Sequence, residues 1–340
     1  MVGIVSYGFY IPKYRLKTEE IARVWGKNPN EILRSLKVVE KSVSNIDEDS
    51  LTMGYESSSM ALEGIDVDRK EIKAVFFGSE SHPYAVNPTS TILAEFLGIE
   101  KNYLAYDTEF ACKAATGALI SGFGLIKSGF CDYGLITASD KATGRPHDAL
   151  EYTAASGSVS FFLGKKDLIL ELVDCQSFSS DTPDFWRREG IRYPSHGGRF
   201  TGKPAYFHHV TEATRLVLEK NNLEPKDFSQ VIFHMPNGKF PVQAALSMGF
   251  EKKQIERSLV IRNLGNSYTA SALMGFVATL DTSKKDDLVL LTSYGSGAGS
   301  DSFVFRVTEN LDKRRRNFSE ANADKSYIDY PRYLKFMDII

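Results

Sequence analysis

EIKAVFFGSES, residues 71–81, reads as a buried strand opening into a polar loop, and the same design returns as DFSQVIFHMPN at 227–237. Short continuous runs of β-branched and aromatic residues, bounded by Gly, Ser or Asp, are the pattern of strands covered on both faces. The echo extends further. A helix ending in LGI (97–99), then TEFACKAATGALISGFGLI (108–126) and DYGLITASD (132–140), is answered by LSMGF (246–250), RNLGNSYTASALMGFVATL (262–280) and DDLVLLTSYGS (286–296). Val75 and Val231 stand 156 apart, Cys112 and Ser267 155, Thr137 and Thr292 155. An offset held over that length marks an internal repeat, with the order strand, loop, helix, strand, helix, strand in both copies.

Outward from the repeat, MVGIVSYGFY reads as a first strand, and SVSFFLG (158–164) closes the first copy. Pro29 behind Asn28, with Glu31 two residues on, predicts a helix start, and Ala114 to Lys127 a second helix. Strands alternating with helices imply an α/β protein with mixed or parallel sheets covered by helices. Two similar halves, 1–165 and 166–310, are expected to face each other about a pseudo-two-fold axis. The remainder, 311–340, begins charged (LDKRRR) and ends aromatic (YIDYPRYLKF), which predicts a solvated linker followed by a docking segment.

The 340 residues carry 41 basic and 43 acidic side chains, a formal charge of -2, so no net positive field gathers a nucleic acid or an anionic membrane. Apolar residues at 42% and charged residues at 25% exclude disordered and fibrous classes. The least polar helical stretch, 268–280, is too short to span a membrane, and a cytoplasmic location is expected. Cys112, Cys131 and Cys175 are odd in number and lack a CxxC spacing, which supports neither a disulfide framework nor a zinc site.

A two-fold repeat places equivalent loops around one cleft. Cys112 opens a helix of small residues, where free backbone N–H groups and the helix dipole favour the thiolate: a candidate nucleophile. Its repeat mate Ser267 adjoins Asn266, whose amide is suited to a developing oxyanion. His234 ends the strand QVIFH, and Glu80 follows the equivalent strand. Each has a plainer reading, Cys112 as a small core residue, His234 as a strand-end histidine and Glu80 as a solvated acid; their convergence at matching ends of the repeat favours chemistry. His208 and His209 are adjacent and point apart on a helix, so they do not share a metal. His82, His147 and His196 read as surface or substrate-loop residues, and Cys131 and Cys175 as packing. The Gly-rich YGSGAGS (294–300) lacks the Lys-Ser/Thr ending of a phosphate loop and reads as a close backbone approach to a ligand.

In combination, GSES with Glu80, EFACKAATGAL with Cys112, HMPNGK with His234 and Lys239, NLGNSYTAS with Asn266 and SYGSGAGSDSF with Ser296 resemble the hydroxymethylglutaryl-coenzyme A synthases of the thiolase superfamily in their compact archaeal form. The similarity covers essentially the whole chain. It implies the five-layered αβαβα thiolase-like fold and, within the mevalonate pathway of isoprenoid biosynthesis, an acyltransferase. By that resemblance Cys112 would take the acetyl group of acetyl-CoA, Glu80 would deprotonate the acetyl methyl, and His234 would polarise the ketone of acetoacetyl-CoA. It also implies that Lys239 contacts coenzyme A, that Asn266 and Ser296 contact acyl oxygens, and that Thr153, Arg199 and Thr201 are further ligand contacts. No cofactor or metal is implied, the coenzyme A thioesters being substrates. The implied partners are a second copy of the chain, an acetoacetyl-CoA thiolase and a small OB-fold bridging protein.

Two positions depart from that pattern. Asn28 and Pro29 replace an Asp-Ala pair, and Gln243 stands where a basic residue near the coenzyme is expected. A ketoacyl-carrier-protein synthase of the third type shares the His-x-x-Asn spacing of HMPNGK but has no need of Glu80. A thiolase needs a second cysteine where Ser296 stands. A silent scaffold has no use for Glu80, Cys112 and His234 together.

Overall fold

The computed structural model describes residues 1–340, the side chain of Arg199 excepted. Strand β1 (Gly3–Tyr10) leads into a small outer unit, β2 (Tyr14–Lys17), α1 (Thr18–Val24), α2 (Pro29–Leu36) and β3 (Glu40–Val43). The first half continues with α3 (Ser50–Leu62), β4 (Ile72–Gly78), α4 (Thr89–Phe96), β5 (Leu104–Thr108), α5 (Ala114–Ser128), β6 (Tyr133–Lys141) and β7 (Ser156–Gly164). Asn28 caps α2 by accepting from the Asn30 backbone, and Asp49 with Thr52 forms a capping box on α3.

The second half runs β8 (Leu170–Ser179), the hairpin β9 (Phe185–Trp186) and β10 (Ser195–His196), α6 (His208–Asn221), β11 (Gln230–Phe233), α7 (Phe240–Ser247), α8 (Lys252–Ile255) and α9 (Ile261–Leu264). It closes with α10 (Ser271–Leu280), β12 (Leu288–Thr292) and β13 (Gly299–Val307). The tail holds α11 (Leu311–Arg314), α12 (Phe318–Ala323), β14 (Ser326–Tyr327) and α13 (Tyr330–Phe336).

The halves contribute the strand orders β5-β4-β6-β7-β1 and β8-β13-β12-β11, joined by a short β1–β8 pairing, Gly3 with Glu171 and Ile4 with Leu170. Only glycine permits that junction, since a Cβ on residue 3 would lie 2.0 Å from the Leu170 carbonyl oxygen. Helices α5 and α10 are buried between the two sheets, where Leu119, Phe123, Phe276 and Val277 share one core with Phe76 and Phe161 of the first half and Ile232 and Phe303 of the second. Every residue of α10 is buried. Helix α3 covers the outer face of the first sheet and α6 that of the second. The result is five layers, helix, sheet, helix, sheet, helix, with the heads of α5 and α10 meeting at the centre: Ala115 N donates to Thr269 Oγ1 at 3.0 Å.

The repeat is incomplete in one place. No strand of the second half matches β5; residues 256–264 form a 3-10 turn and α9 instead. Side chains there do the work of a ladder, Ser258 Oγ donating to the Val231 carbonyl at 3.1 Å and Gln254 Nε2 to that of Phe228.

The first part of the tail departs from expectation, being no solvated linker, while its aromatic end docks on the chain itself. Arg314 binds the Val5 carbonyl of β1, Arg315 the Leu280 and Ser283 carbonyls at the end of α10, and Arg316 the Met60 carbonyl of α3. The carbonyl ends of α3 and α10 attract such cations. Beyond them β14 pairs with β2, and Ile328, Tyr330, Tyr333 and Met337 are buried with Leu16, Ile21 and Val43.

Candidate active site

Cys112 lies two residues before α5, just after Ala111, whose φ of 44° is unusual for a residue with a side chain. It is 4% exposed and packed among Ala142, Ala154, Tyr268 and Phe185. The helix-head argument predicts a depressed thiol pKa, and the structure reverses it: burial pushes the thiol well above 9.0, and the neighbouring Glu80 carboxyl adds to the rise. The reason is position. Lys113 occupies the cap of α5, and its ammonium is spent on a buried ion pair with Asp301 at 2.9 Å.

Glu80 and Cys112 are within each other's electrostatic reach. Burial, with the charge of Asp140 second, pushes the Glu80 carboxyl up to about 8. Its Oε1 is enclosed and has no hydrogen-bond partner among the described residues. Its loop is held from beneath: Asp140, at the end of β6, accepts through Oδ1 from Ser79 Oγ, the Glu80 N–H and Ser81 Oγ, and through Oδ2 from the Thr269 N–H. One carboxylate thus ties the Glu80 loop of the first half to the head of α10 in the second. A cavity of about 180 Å³ opens onto Glu80, with Lys141, Arg187, Arg192 and Tyr268 in its wall. The larger cavity of about 620 Å³, between Gln230, Arg257 and Phe318, contains none of these groups.

Thr153 and Asn266 meet beside this pair. The Asn266 N–H donates to the Thr153 carbonyl at 2.7 Å, and the Ala155 N–H to the Asn266 carbonyl at 2.9 Å. Asn266 Oδ1 accepts from the Tyr268 N–H at 3.0 Å, leaving the side-chain nitrogen without a partner among the described residues. The turn requires glycine before it: Gly265 has φ +77°, and a Cβ there would lie 2.7 Å from the Thr153 carbonyl oxygen.

His234 follows β11 and is 1% exposed, with neither Nδ1 nor Nε2 hydrogen-bonded. Burial alone pushes its imidazole down to about 3, so it is neutral at physiological pH. Its ring lies 6.2 Å from that of Tyr294, whose hydroxyl donates to Asp184, and the charge of Asp184 is felt at Cys112. Ser296 is half-buried and interacts with Tyr294. Two buried nitrogens without partners normally carry a desolvation penalty, so His234 is built to meet a ligand.

Lys239 and Gln243 stand a turn apart, the Gln243 N–H donating to the Lys239 carbonyl at 3.0 Å. Thr201 precedes the helical turn 202–207, whose Tyr206 and Phe207 pack against Phe240 at 5.2 and 5.0 Å, next to Lys239. Thr201 Oγ1 is enclosed without a partner, Lys239 is half-buried and Gln243 is exposed. The end of α2 closes this side, since the Leu36 carbonyl accepts from Gly238 N–H at 2.8 Å. The Arg199 side chain lies outside the described residues.

The chain is 50% identical to the hydroxymethylglutaryl-CoA synthase of Methanosarcina barkeri over 339 aligned positions, covering 98% of this chain and 97% of that protein. The chain belongs to the hydroxymethylglutaryl-CoA synthase family. The synthase of Pyrobaculum aerophilum is 47% identical across 100% of this chain and 98% of its own. Among solved structures, an HMG-CoA synthase complexed with CoA superposes with a TM-score of 0.88 at 22% identity, covering 98% of this chain and 89% of that one. MvaS in complex with 3-hydroxy-3-methylglutaryl coenzyme A gives 0.90 at 21% identity, over 99% and 91%. Residues 218–307 match the family described as 3-oxoacyl-(acyl-carrier-protein, ACP) synthase III C terminal. The fold is therefore the thiolase-like one that the resemblance implied and with which the repeat agrees.

Sequence reading passed over Asp140, Asp184, Tyr294 and Arg187. Asp140 ends TASD as any strand-end acid does, and its four hydrogen-bond donors come from two segments distant in the chain. Arg187, in PDFWRRE, follows no periodic pattern, yet it donates to the Glu80 carbonyl. No helix among the described residues is long and apolar enough to cross a membrane.

Proposed function

We propose that this chain condenses acetyl-CoA with acetoacetyl-CoA and water to give 3-hydroxy-3-methylglutaryl-CoA and CoA, acting in the mevalonate pathway through an acetyl thioester on Cys112. The observation that carries the reading is a buried thiol facing a half-buried carboxyl whose enclosed Oε1 has no other partner. In its ionised form Glu80 takes the thiol proton, the thiolate sulfur bonds to the acetyl carbon as the bond to the CoA sulfur breaks, and the departing CoA thiolate takes that proton from Glu80, which is ionised again. Glu80 then removes a proton from the acetyl methyl, and the resulting enolate carbon attacks the ketone carbon of acetoacetyl-CoA. Neutral His234 polarises that ketone by donating an N–H, since an imidazole held near 3 has no second proton to transfer. The proton on Glu80 is returned to the tertiary alkoxide. Water finally splits the thioester, releasing a carboxylate and restoring the thiol.

Asn266 faces the acyl oxygen in this scheme, with Ser296 near it. Thr153 holds Asn266 in place, while Lys239, Thr201, Arg199 and Gln243 line the coenzyme A approach. The protein acts in the cytoplasm without a cofactor. We extend the reading to a homo-oligomer and to a complex with an acetoacetyl-CoA thiolase and an OB-fold bridging protein, which draws an unfavourable thiolase equilibrium forward. The match to a ketoacyl-carrier-protein synthase C-terminal family follows from shared fold, and Glu80 favours the hydroxymethylglutaryl-CoA reaction.

Intact-mass spectrometry tests the scheme. Brief incubation with acetyl-CoA should add one acetyl group, removed on adding acetoacetyl-CoA as product appears. Cys112→Ala should take up none, and an adduct persisting on that variant moves the nucleophile elsewhere.

A further inference from the structure

Beneath the Asn266 turn lies a polar cluster that the reaction scheme does not use. Lys41 of β3 and Glu151, in the loop between β6 and β7, are both buried. The Lys41 ammonium donates to the Glu151 backbone carbonyl, lies 3.2 Å from Tyr333 Oη and stands 4.4 Å from the centre of the Tyr333 ring. The Glu151 carboxylate accepts from Tyr330 Oη at 2.7 Å on one oxygen, and from Trp25 Nε1 at 3.0 Å and the His147 N–H at 2.8 Å on the other. Tyr330 and Tyr333 both belong to α13 of the tail. The cluster touches the catalytic centre in two places. Glu151 is two residues from Thr153, whose carbonyl holds the Asn266 N–H, and a Cβ on Gly265 would meet Lys41 Cβ at 2.9 Å. The tail also holds the other wall of the cavity, because Arg192 donates to the Met337 carbonyl.

An apolar filling of this space would be easier to bury. A lysine without a carboxylate partner within salt-bridge distance and a glutamate satisfied only by neutral donors both carry desolvation penalties. The penalty shows in the Lys41 ammonium, pushed down to about 7 by burial. What the arrangement supplies in return is directional fixing of one loop, since hydrogen bonds set angles that apolar contacts leave loose.

We propose that the C-terminal tail is a positioning element of the catalytic centre, with Tyr330 and Tyr333 fixing, through Glu151 and Lys41, the turn that presents Asn266. These four are positioning residues that act through Asn266, and the inference rests on the reading of Asn266 as the amide facing the acyl oxygen.

The test uses the full-length chain and two backgrounds. Tyr330→Phe and Glu151→Gln are each measured for acetyl-enzyme formation, for kcat and KM with acetoacetyl-CoA, and for Tm, alone and combined with Asn266→Ala. Tyr330→Phe leaves one carboxylate oxygen unpaired, and Glu151→Gln sets an NH2 against donors. Each should lower kcat about tenfold in the parent and less than twofold beside Asn266→Ala, a non-additivity that a merely structural role does not produce. Equal losses in both backgrounds, or undiminished kcat in the single variants, overturn the proposal. Should Tyr330→Phe fail to fold, Trp25→Phe removes a donor to the same carboxylate from outside the tail and is held to the same criterion. An Asn266→Ala enzyme with unchanged kcat overturns instead the reading of Asn266, and the proposal with it.

Discussion

Replacing Glu80 by Gln should stabilise the protein and disable it, and the pH dependence of the first effect reports on the second. The carboxyl is pushed up from 4.5 to about 8, chiefly by burial. Between those values the folded chain keeps a proton that the unfolded chain gives up, so the contribution of Glu80 to stability is fully present below pH 4.5 and is lost as the pH rises to 8. At about 1.4 kcal/mol per pH unit the ceiling of that loss is about 5 kcal/mol. Glu80 is half-open toward the 180 Å³ cavity and near Arg187, and solvent access reduces the expected figure to about 2 kcal/mol. For 340 residues the entropy of unfolding is about 0.7 kcal/mol per kelvin, so Glu80→Gln should raise Tm by about 3 °C at pH 8.5 and leave it unchanged at pH 4. Paired thermal scans of parent and variant at the two pH values cancel the other titrating groups. Acetyl-enzyme formation by the parent should rise with pH through a midpoint near 8 and level off about one unit above it, because only the ionised carboxylate accepts the thiol proton. A Tm difference that is the same at both pH values would refute the account of a buried, protonated Glu80.

Three other outcomes follow from the geometry. His234→Ala should still form the acetyl enzyme, while steady-state condensation falls by about 100- to 1,000-fold, the usual loss when a preorganised donor is removed. Lys113→Met leaves Asp301 buried with only the Thr116 and Ser177 hydroxyls, and urea unfolding should show a loss of about 3–5 kcal/mol. Gly265→Ala forces a side chain into a left-handed turn and against the Thr153 carbonyl; denaturant titration should show about 1–3 kcal/mol lost, with kcat lowered as Asn266 shifts.

The repeat was legible because its signals are local: continuous apolar strands ending in a reactive or polar residue, at a constant offset. Glu80, Cys112 and His234 stand out for the same reason, each just past a strand or before a helix. The charge state of Cys112 was not legible, since it depends on Glu80, 32 positions away in the chain and adjacent only in the fold. Nor was the missing strand: SLVIRNLG has the apolar character of a strand, and only the Ser258 contact with β11 shows what replaces it. In the tail, RRR reads as solvated because single-sequence pattern carries no sign of the backbone carbonyls that three separate segments, β1 and the ends of α10 and α3, bring to meet it.

That missing strand has a bearing on how copies of the chain can add to one another. A nine-stranded sheet has two rims. On the β5 rim no further strand is paired among the described residues, whereas the β11 rim is blunted by Ser258 and Gln254, whose side chains already occupy its carbonyl surroundings. With two open rims, rim-to-rim addition would propagate into a ribbon; with one, it can join two copies through the same rim and then has nowhere to continue. The asymmetry between halves that otherwise repeat each other thus leaves the sheet one rim on which backbone groups stand open and one on which side chains already meet them.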